Sequence, residues 1–157
     1  PDYCQPIDGS LDAIARLNHA VYSGAIASNQ SGLASGYFDI EVLTAMHKNM
    51  DLLLSKIGGR IDAVFYCPNG PDDACHCRKP KPGMLLDIGQ RFNVPLKQVI
   101  FIGDSIADIT AANNANAQAV LVRTGKGIKA EKILQSENKS SIPVYDDLAS
   151  AVTAILQ

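Results

Sequence analysis

Three of the four cysteines lie in one short segment, CPNGPDDACHC, and a basic pair followed by proline comes directly after it. Cys67, Cys75 and Cys77 have the spacing Cys-x7-Cys-x-Cys. Clustered thiols in a chain of this kind are more often metal ligands than disulfides. Tetrahedral zinc takes four ligands, usually sulfur or imidazole. The three cysteines are therefore predicted to bind a structural Zn²⁺, with Asn69, His76 or water as the fourth ligand.

A second group of residues is suited to phosphate and Mg²⁺. Lys79 precedes a proline, which restricts the backbone, and a fixed ammonium group stabilises charge on a transferring phosphoryl group. Asp104 follows an apolar run through a glycine, and carboxylate oxygens are the ligands that Mg²⁺ prefers. Asp108, four residues later, is expected to orient Asp104 or Lys79. The alternative is that Asp104 only caps the helix that follows.

A third candidate is the hydroxyl of Ser28, in the segment SNQSG (28–32). At the end of a strand, a serine hydroxyl and the neighbouring backbone N–H groups can hold a phosphoryl oxygen. The alternative is an ordinary turn, because Ser, Asn and Gly favour turns.

The elements that must position these residues follow from the spacing of apolar side chains. Short apolar runs predict four strands, and longer segments of helical period predict six helices between and around them. This alternation predicts an α/β fold, a Rossmann-like doubly wound parallel sheet with helices on both faces. Ligands of such sheets bind beyond the carboxyl ends of the strands, so the candidate residues are expected to converge there. The predicted strands are 24–28, 61–66, 99–102 and 119–122; the predicted helices are 10–20, 39–57, 83–92, 106–115, 129–136 and 146–156.

Composition limits the classes of function. The chain has 157 residues, of which 46% are hydrophobic and 19% charged, with a formal net charge of −2. These values predict one globular domain, residues 1–157, with its own core. Without a long basic run or an apolar stretch of about 20 residues, we expect neither a nucleic-acid partner nor a membrane. We find no leader of the secretory type and expect a cytoplasmic protein.

Five segments occur in an order that is characteristic of one superfamily: SNQSG (28–32), FYCP (65–68), CRKPKPGM (77–84), GDSIAD (103–108) and VRTGKG (122–127). Together they resemble the haloacid dehalogenase superfamily of Mg²⁺-dependent phosphatases. Within it, the cysteine loop running into CRKPKPG resembles the branch that removes the 7-phosphate of heptose 1,7-bisphosphate. The resemblance implies a haloacid dehalogenase-like fold, a small phosphorylated sugar as substrate, a role in lipopolysaccharide precursor synthesis and a monomeric full-length protein. Histidinol-phosphate phosphatases share the loop, and histidinol phosphate is the alternative substrate.

The resemblance also implies roles for individual residues. Ser28 would hydrogen-bond the phosphoryl group, and Lys79 would stabilise its charge. Asp104 would bind Mg²⁺, with the backbone carbonyl of Ser105 reaching the same ion. The cysteine loop would be a structural zinc site that shapes the substrate entrance. The positions that match substrate contacts are Ser28, Asn29, Gln30, Ser31, Arg78, Lys79 and Ser105.

Two departures from the family pattern change what we expect. The family's zinc loop usually reads Cys-x-His, and Asn69 stands where the histidine belongs. The family also begins with a strand that ends in Asp-x-Asp, whose first Asp attacks phosphorus and whose second acts as acid and base. The chain printed here contains no Asp-x-Asp. We therefore expect an N-terminally truncated domain that lacks the first strand and has little or no activity alone. A catalytically dead relative that binds a phosphorylated sugar or a protein is the other reading.

Overall fold

The computed structural model describes residues 5–35 and 40–157. The chain divides into two units, residues 1–73 with 152–157, and residues 74–151. The start of the predicted helix 39–57 falls at Asp39, which lies outside the described residues.

In its described residues up to Asp73, the first unit has a pair of parallel strands and three helices. In β1 and β2, Ala25 lies opposite Ala63 and Asn29 lies opposite Cys67. Helices α1 and α3 contact each other. The buried apolar residues are Ala13 and Ala15 of α1 and Leu43 and Leu54 of α3. The elements are α1 (Ser10–His19), β1 (Ala25–Asn29), α2 (Ser31–Ser35), α3 (Ile40–Ser55) and β2 (Ala63–Cys67).

The second unit contains a three-stranded parallel sheet in the order β3-β4-β5. Ile102 of β3 lies opposite Val120 of β4, and Val122 of β4 lies opposite Tyr145 of β5. A short 3₁₀ turn (Leu96–Gln98) precedes β3, and α7 extends past residue 151 into the first unit. The elements are α4 (Gly83–Phe92), β3 (Ile100–Gly103), α5 (Ile106–Asn114), β4 (Gln118–Val122), α6 (Gly127–Ser136), β5 (Val144–Tyr145) and α7 (Leu148–Ile155).

The central strand of this sheet shows why the apolar runs predicted strands. Residues 119–122 of β4 are all buried, as expected of a parallel strand that is covered on both faces. A core cluster forms around Val120, Val122 and Ala151, with Ile100, Ile102 and Tyr145 packed against it. The predicted α/β class and the parallel pairing are confirmed. Sequence periodicity did not predict α2 and β5, because β5 has two residues and α2 is a five-residue segment of turn-forming type.

One buried polar side chain joins two loops of the first unit and gives a testable prediction. The Asn18 amide donates to the Tyr22 carbonyl at 3.3 Å, and its Oδ1 accepts the Arg60 N–H at 2.8 Å. Asn18 is 7% exposed, so Asn18→Ala would leave both backbone groups unpaired and partly buried. We expect a loss of about 1–3 kcal/mol in the free energy of unfolding, measured by urea titration.

Asn113, an exposed residue of α5, provides the matched control for this prediction. Asn113→Ala removes the same amide from a solvated helix surface and is expected to change stability by less than about 0.5 kcal/mol. Equal unfolding midpoints for the two variants would contradict the role assigned to Asn18.

Candidate active site

The carboxyl edge of the second unit's sheet carries charged residues at each strand end. Asp104 follows β3, Arg123 follows β4 and Asp146 follows β5. Because the strands are parallel, all three ends lie at the same edge of this sheet, where ligands of open α/β sheets bind. Chemistry in this unit is therefore expected around Asp104 and the loops beside it.

Lys79 and Asp108 form a buried ion pair. The Lys79 Nζ donates to the Asp108 Oδ1 at 2.6 Å, and the two side chains are only 12% and 8% exposed. The Lys79 ammonium also lies 5.5 Å from the centre of the Phe101 ring, on β3. The ion pair fixes the position of the Lys79 ammonium beside Asp108. The role of either residue toward a phosphoryl group stays a prediction.

The second carboxylate oxygen of Asp108 accepts three hydrogen bonds from the residues after β3. The Asp104 N–H donates at 3.1 Å, the Ser105 N–H at 3.2 Å and the Ser105 hydroxyl at 2.9 Å. In return, the Asp108 N–H donates to the Ser105 hydroxyl at 3.3 Å, which completes a capping box at the start of α5. The helix cap is thus Ser105, and the alternative reading of Asp104 as the cap is wrong.

This cap leaves Asp104 available for another role. Its backbone N–H is held by Asp108, and its side-chain Oδ2 accepts the Lys126 N–H at 3.1 Å. The Ser105 hydroxyl is occupied within the capping box, while its backbone carbonyl accepts the Ile109 N–H at 3.2 Å. A contact of Ser105 with substrate, or of its carbonyl with a metal, remains a prediction.

The loop that carries Arg78 and Lys79 is held by hydrogen bonds to other residues of the second unit. The Gly83 N–H donates to the His76 carbonyl at 3.0 Å, and a side chain at Gly83 would overlap that carbonyl. The Asn114 amide, at the end of α5, donates to the Pro80 carbonyl at 3.2 Å. Lys79 therefore projects from a loop that is tied at several points, and Arg78 is half-buried beside it.

In the first unit, the Ser28 hydroxyl accepts a hydrogen bond from the Gln30 amide at 2.7 Å. The Asn29 carbonyl is 3.5 Å from the same hydroxyl, longer than an ordinary O–H···O bond, so the Ser28 proton can be donated to a ligand oxygen. The Gln30 N–H donates to the Cys67 carbonyl at 2.7 Å, which fixes the chain just after β1. Ser31 begins α2. The predicted convergence of Ser28 with Lys79 and Asp104 stays a prediction, because the residues belong to different units.

The three clustered cysteines are also divided between the units. Cys67 ends β2 and is fully buried, and Asn69 lies two residues further on. In the second unit, the Sγ atoms of Cys75 and Cys77 lie within 4.8 Å of each other, and His76 between them is exposed. Cys77 is disulfide-bonded in the structure, so the two sulfur atoms of this unit could share a metal ion only after its reduction.

Sequence reasoning missed an ion-pair network at the end of β4. Arg123 binds the Glu131 carboxylate through two hydrogen bonds, at 3.0 and 2.9 Å, and reaches Asp146 at 2.8 Å. These contacts raise the pKa of Arg123, and the guanidinium holds the pKa of Glu131 below its ordinary value. Tertiary pairs of this kind leave no local sequence signal, and the glycines of this segment indicate only a turn or loop.

Comparison with known proteins identifies the class to which this arrangement belongs. The HAD-hydrolase-like family model matches residues 76–151, the segment that holds Lys79, Asp104 and Asp108. The D-glycero-beta-D-manno-heptose-1,7-bisphosphate 7-phosphatase of Pseudomonas aeruginosa is 47% identical over 152 residues, which cover 97% of this chain and 84% of that protein. The protein of the same name from Bordetella bronchiseptica is 45% identical, with 100% and 87% covered.

Solved structures agree with the sequence relatives. The D,D-heptose 1,7-bisphosphate phosphatase of B. bronchiseptica, complexed with magnesium and phosphate, has a TM-score of 0.90 and 46% identity over 96% of this chain and 83% of its own. The enzyme of Burkholderia thailandensis has a TM-score of 0.74 and 36% identity, with 96% and 86% covered.

The chain belongs to the haloacid dehalogenase-like hydrolases, and its class of reaction is the hydrolysis of phosphoric monoesters. Within that superfamily it groups with the heptose-bisphosphate phosphatases, as the five sequence segments predicted. Among the helices that the structure describes, none is long and apolar enough to cross a membrane.

Proposed function

We propose that this protein removes the 7-phosphate from D-glycero-β-D-manno-heptose 1,7-bisphosphate with the help of Mg²⁺. The observation that carries the proposal is the arrangement around Asp108, which fixes the Lys79 ammonium with one oxygen and the backbone of Asp104 and Ser105 with the other. A fixed cation beside a carboxylate at a strand end suits a reaction that moves a phosphoryl group. The substrate is taken from the names of the relatives.

The residues of the second unit fit a magnesium ion by the chemistry of their donors. Asp104 offers a half-buried carboxylate, and Ser105 offers a backbone carbonyl oxygen with a second lone pair. Both are hard oxygen donors of the kind that Mg²⁺ prefers. When bound, the ion would neutralise developing negative charge on the phosphoryl oxygens. That a related structure holds magnesium and phosphate supports this assignment.

The chain's own residues have separate parts in the reaction. Lys79 stabilises negative charge on the phosphoryl group, and Asp108 keeps that ammonium in place. In the first unit, the Ser28 hydroxyl donates to a phosphoryl oxygen, while Asn29, Gln30 and Ser31 match positions that contact substrate. Arg78 is assigned to the same binding role. We assign the nucleophile to none of these residues, because the printed chain contains no Asp-x-Asp.

Substrate specificity separates this proposal from its alternative. Histidinol phosphate would be the substrate if the loops followed the histidinol-phosphate branch, and both substrates would use the same Lys79 and Asp104. We expect the protein encoded by the whole reading frame to have a kcat/KM for the heptose bisphosphate at least about 100-fold above that for histidinol phosphate, a difference of about 2.7 kcal/mol. A reversed ratio would support the histidinol branch. Activity on neither would support a binding protein.

We further propose that the cysteine loop holds a structural Zn²⁺ through Cys67, Cys75 and Cys77. The spacing of the three residues and the approach of the Cys75 and Cys77 sulfur atoms support it. The fourth ligand is Asn69, His76 or water. About one zinc per chain after purification under reducing conditions, lost on treatment with a chelator, is the supporting result. A zinc-free protein in which two of these thiols react only after reduction would instead show a disulfide.

With a heptose bisphosphate as substrate, the enzyme takes part in the synthesis of lipopolysaccharide precursors. The clustered cysteines, as metal ligands, favour the reducing cytoplasm as its location. We propose that the protein acts as a monomer on a small phosphorylated sugar.

A further inference from the structure

The loop after β4 (residues 123–127, here the β4 loop) lies directly against the Asp104 side chain. The Lys126 N–H donates to the Asp104 Oδ2 at 3.1 Å. Gly125 has a φ of +58°, and a Cβ atom added there would overlap the same Oδ2. The nearest atoms to that added Cβ all belong to the Asp104 side chain. A side chain at position 125 would therefore meet the Asp104 carboxylate first and displace it.

The two ends of the β4 loop are fixed independently of Asp104. At its start, Arg123 is held by Glu131 of α6 and by Asp146 after β5, at distances of 2.8 to 3.0 Å. At its end, Gly127 donates its N–H to the Thr124 carbonyl at 2.9 Å, and a Cβ on Gly127 would overlap the Val122 backbone. These contacts hold the backbone of the β4 loop in place. A side chain added at position 125 would therefore move the Asp104 carboxylate and not the loop.

We infer that the β4 loop positions Asp104 for metal binding, with Gly125 as the position that sets the carboxylate's orientation. The inference rests on the proposed function, in which Asp104 is a Mg²⁺ ligand. The Oδ2 of Asp104 accepts the Lys126 N–H, and Oδ1 is the oxygen that would bind the ion. Groups that orient a metal ligand without touching the metal commonly change metal affinity by about 10- to 100-fold when altered.

Calorimetric titration with Mg²⁺ alone, on the protein encoded by the whole reading frame, tests the inference without an activity assay. We expect Gly125→Ala to weaken Mg²⁺ binding by about 10- to 100-fold. Turnover of the variant at saturating Mg²⁺ should fall far less than at low Mg²⁺. The matched control is Gly24→Ala, because an added Cβ at Gly24 has nothing within 4 Å. Its Mg²⁺ affinity should equal that of the unaltered protein.

A second variant keeps the test decisive if Gly125→Ala does not fold, since its positive φ disfavours alanine. Arg123→Gln releases the start of the loop from its two carboxylate partners and is expected to weaken Mg²⁺ binding by about threefold. Its control is Lys129→Gln, which removes one positive charge from an exposed position of α6. Equal affinities for this pair would overturn the inference.

The outcomes separate this inference from the proposed function. If the unaltered protein binds Mg²⁺ and both Gly125→Ala and Arg123→Gln bind it equally well, the positioning role is wrong while the phosphatase assignment stands. If the unaltered protein neither binds Mg²⁺ nor releases phosphate, the proposed function fails and the inference fails with it. Weakened binding in the two variants alone, with normal binding in both controls, supports the inference.

Discussion

Lys79→Met is expected to lower the rate of phosphate release by about 100- to 1000-fold, because it removes a fixed cation that stabilises charge on the phosphoryl group. It is also expected to lower the free energy of unfolding by about 3 kcal/mol, since Asp108 would be left as a buried carboxylate without its counter-ion. Phosphate release and urea unfolding, measured on the protein encoded by the whole reading frame, give the two quantities.

A double variant separates the two effects of losing Lys79. Asp108→Asn in the Lys79→Met background removes the unpaired charge, so we expect part of the stability to return while activity stays low. Lys81→Met is the control, because it makes the same change at an exposed lysine of the same loop. Normal activity in Lys79→Met, or an equal loss in Lys81→Met, would contradict the role assigned to Lys79.

Asp104→Asn is the second change with a large expected effect. The amide keeps an oxygen for the Lys126 N–H but removes the negative charge that holds a divalent cation. Altering a group that only orients a metal ligand costs about 10- to 100-fold in affinity, so for loss of the charged ligand itself we expect the Mg²⁺ dissociation constant to rise by about 100-fold or more. Calorimetric titration with Mg²⁺ measures it, and phosphate release at fixed Mg²⁺ should fall in parallel.

The control for Asp104→Asn makes the same isosteric change away from the strand ends. Asp87 lies in α4 and is exposed, so Asp87→Asn should leave Mg²⁺ affinity and turnover unchanged. Were the Asp104→Asn protein to bind Mg²⁺ as tightly as the Asp87→Asn protein, the metal ligand would have to be another residue.

The elements and the chemistry-bearing residues were largely accessible from the sequence. Apolar runs predicted β1 to β4 within two residues of their ends, because strands buried in a parallel sheet need apolar side chains throughout. Lys79, Asp104 and Asp108 were chosen as candidates from their side-chain types and from the segments that follow strands. The structure places Lys79 and Asp108 in one ion pair, and their roles toward phosphate and metal stay predictions. The capping box at Ser105 could also have been predicted, because Ser105 and Asp108 have the local spacing that such a cap requires.

What the sequence did not predict depends on contacts between distant segments. Lys126 and Asp104 are separated by 22 positions, and the Arg123 network joins three elements of the second unit. Neither contact has a local period or a fixed spacing, so only the folded chain places the β4 loop against Asp104. Similarly, Asn18 accepts a hydrogen bond from Arg60, 42 positions further along the chain, and its burial had no counterpart in the amphipathic pattern of α1.

The central claim is that this protein is a Mg²⁺-dependent phosphatase acting at the 7-position of a heptose bisphosphate. The most direct test follows D-glycero-β-D-manno-heptose 1,7-bisphosphate by ³¹P NMR, with the protein encoded by the whole reading frame and, in parallel, with residues 1–157 alone. We predict loss of the 7-phosphate signal, retention of the 1-phosphate signal and growth of inorganic phosphate with the whole protein, all abolished by removing Mg²⁺. With residues 1–157 alone, whose sequence has no Asp-x-Asp, we predict little or no change. Release from the 1-position, release without Mg²⁺, or two unchanged phosphate signals with the whole protein would contradict the account.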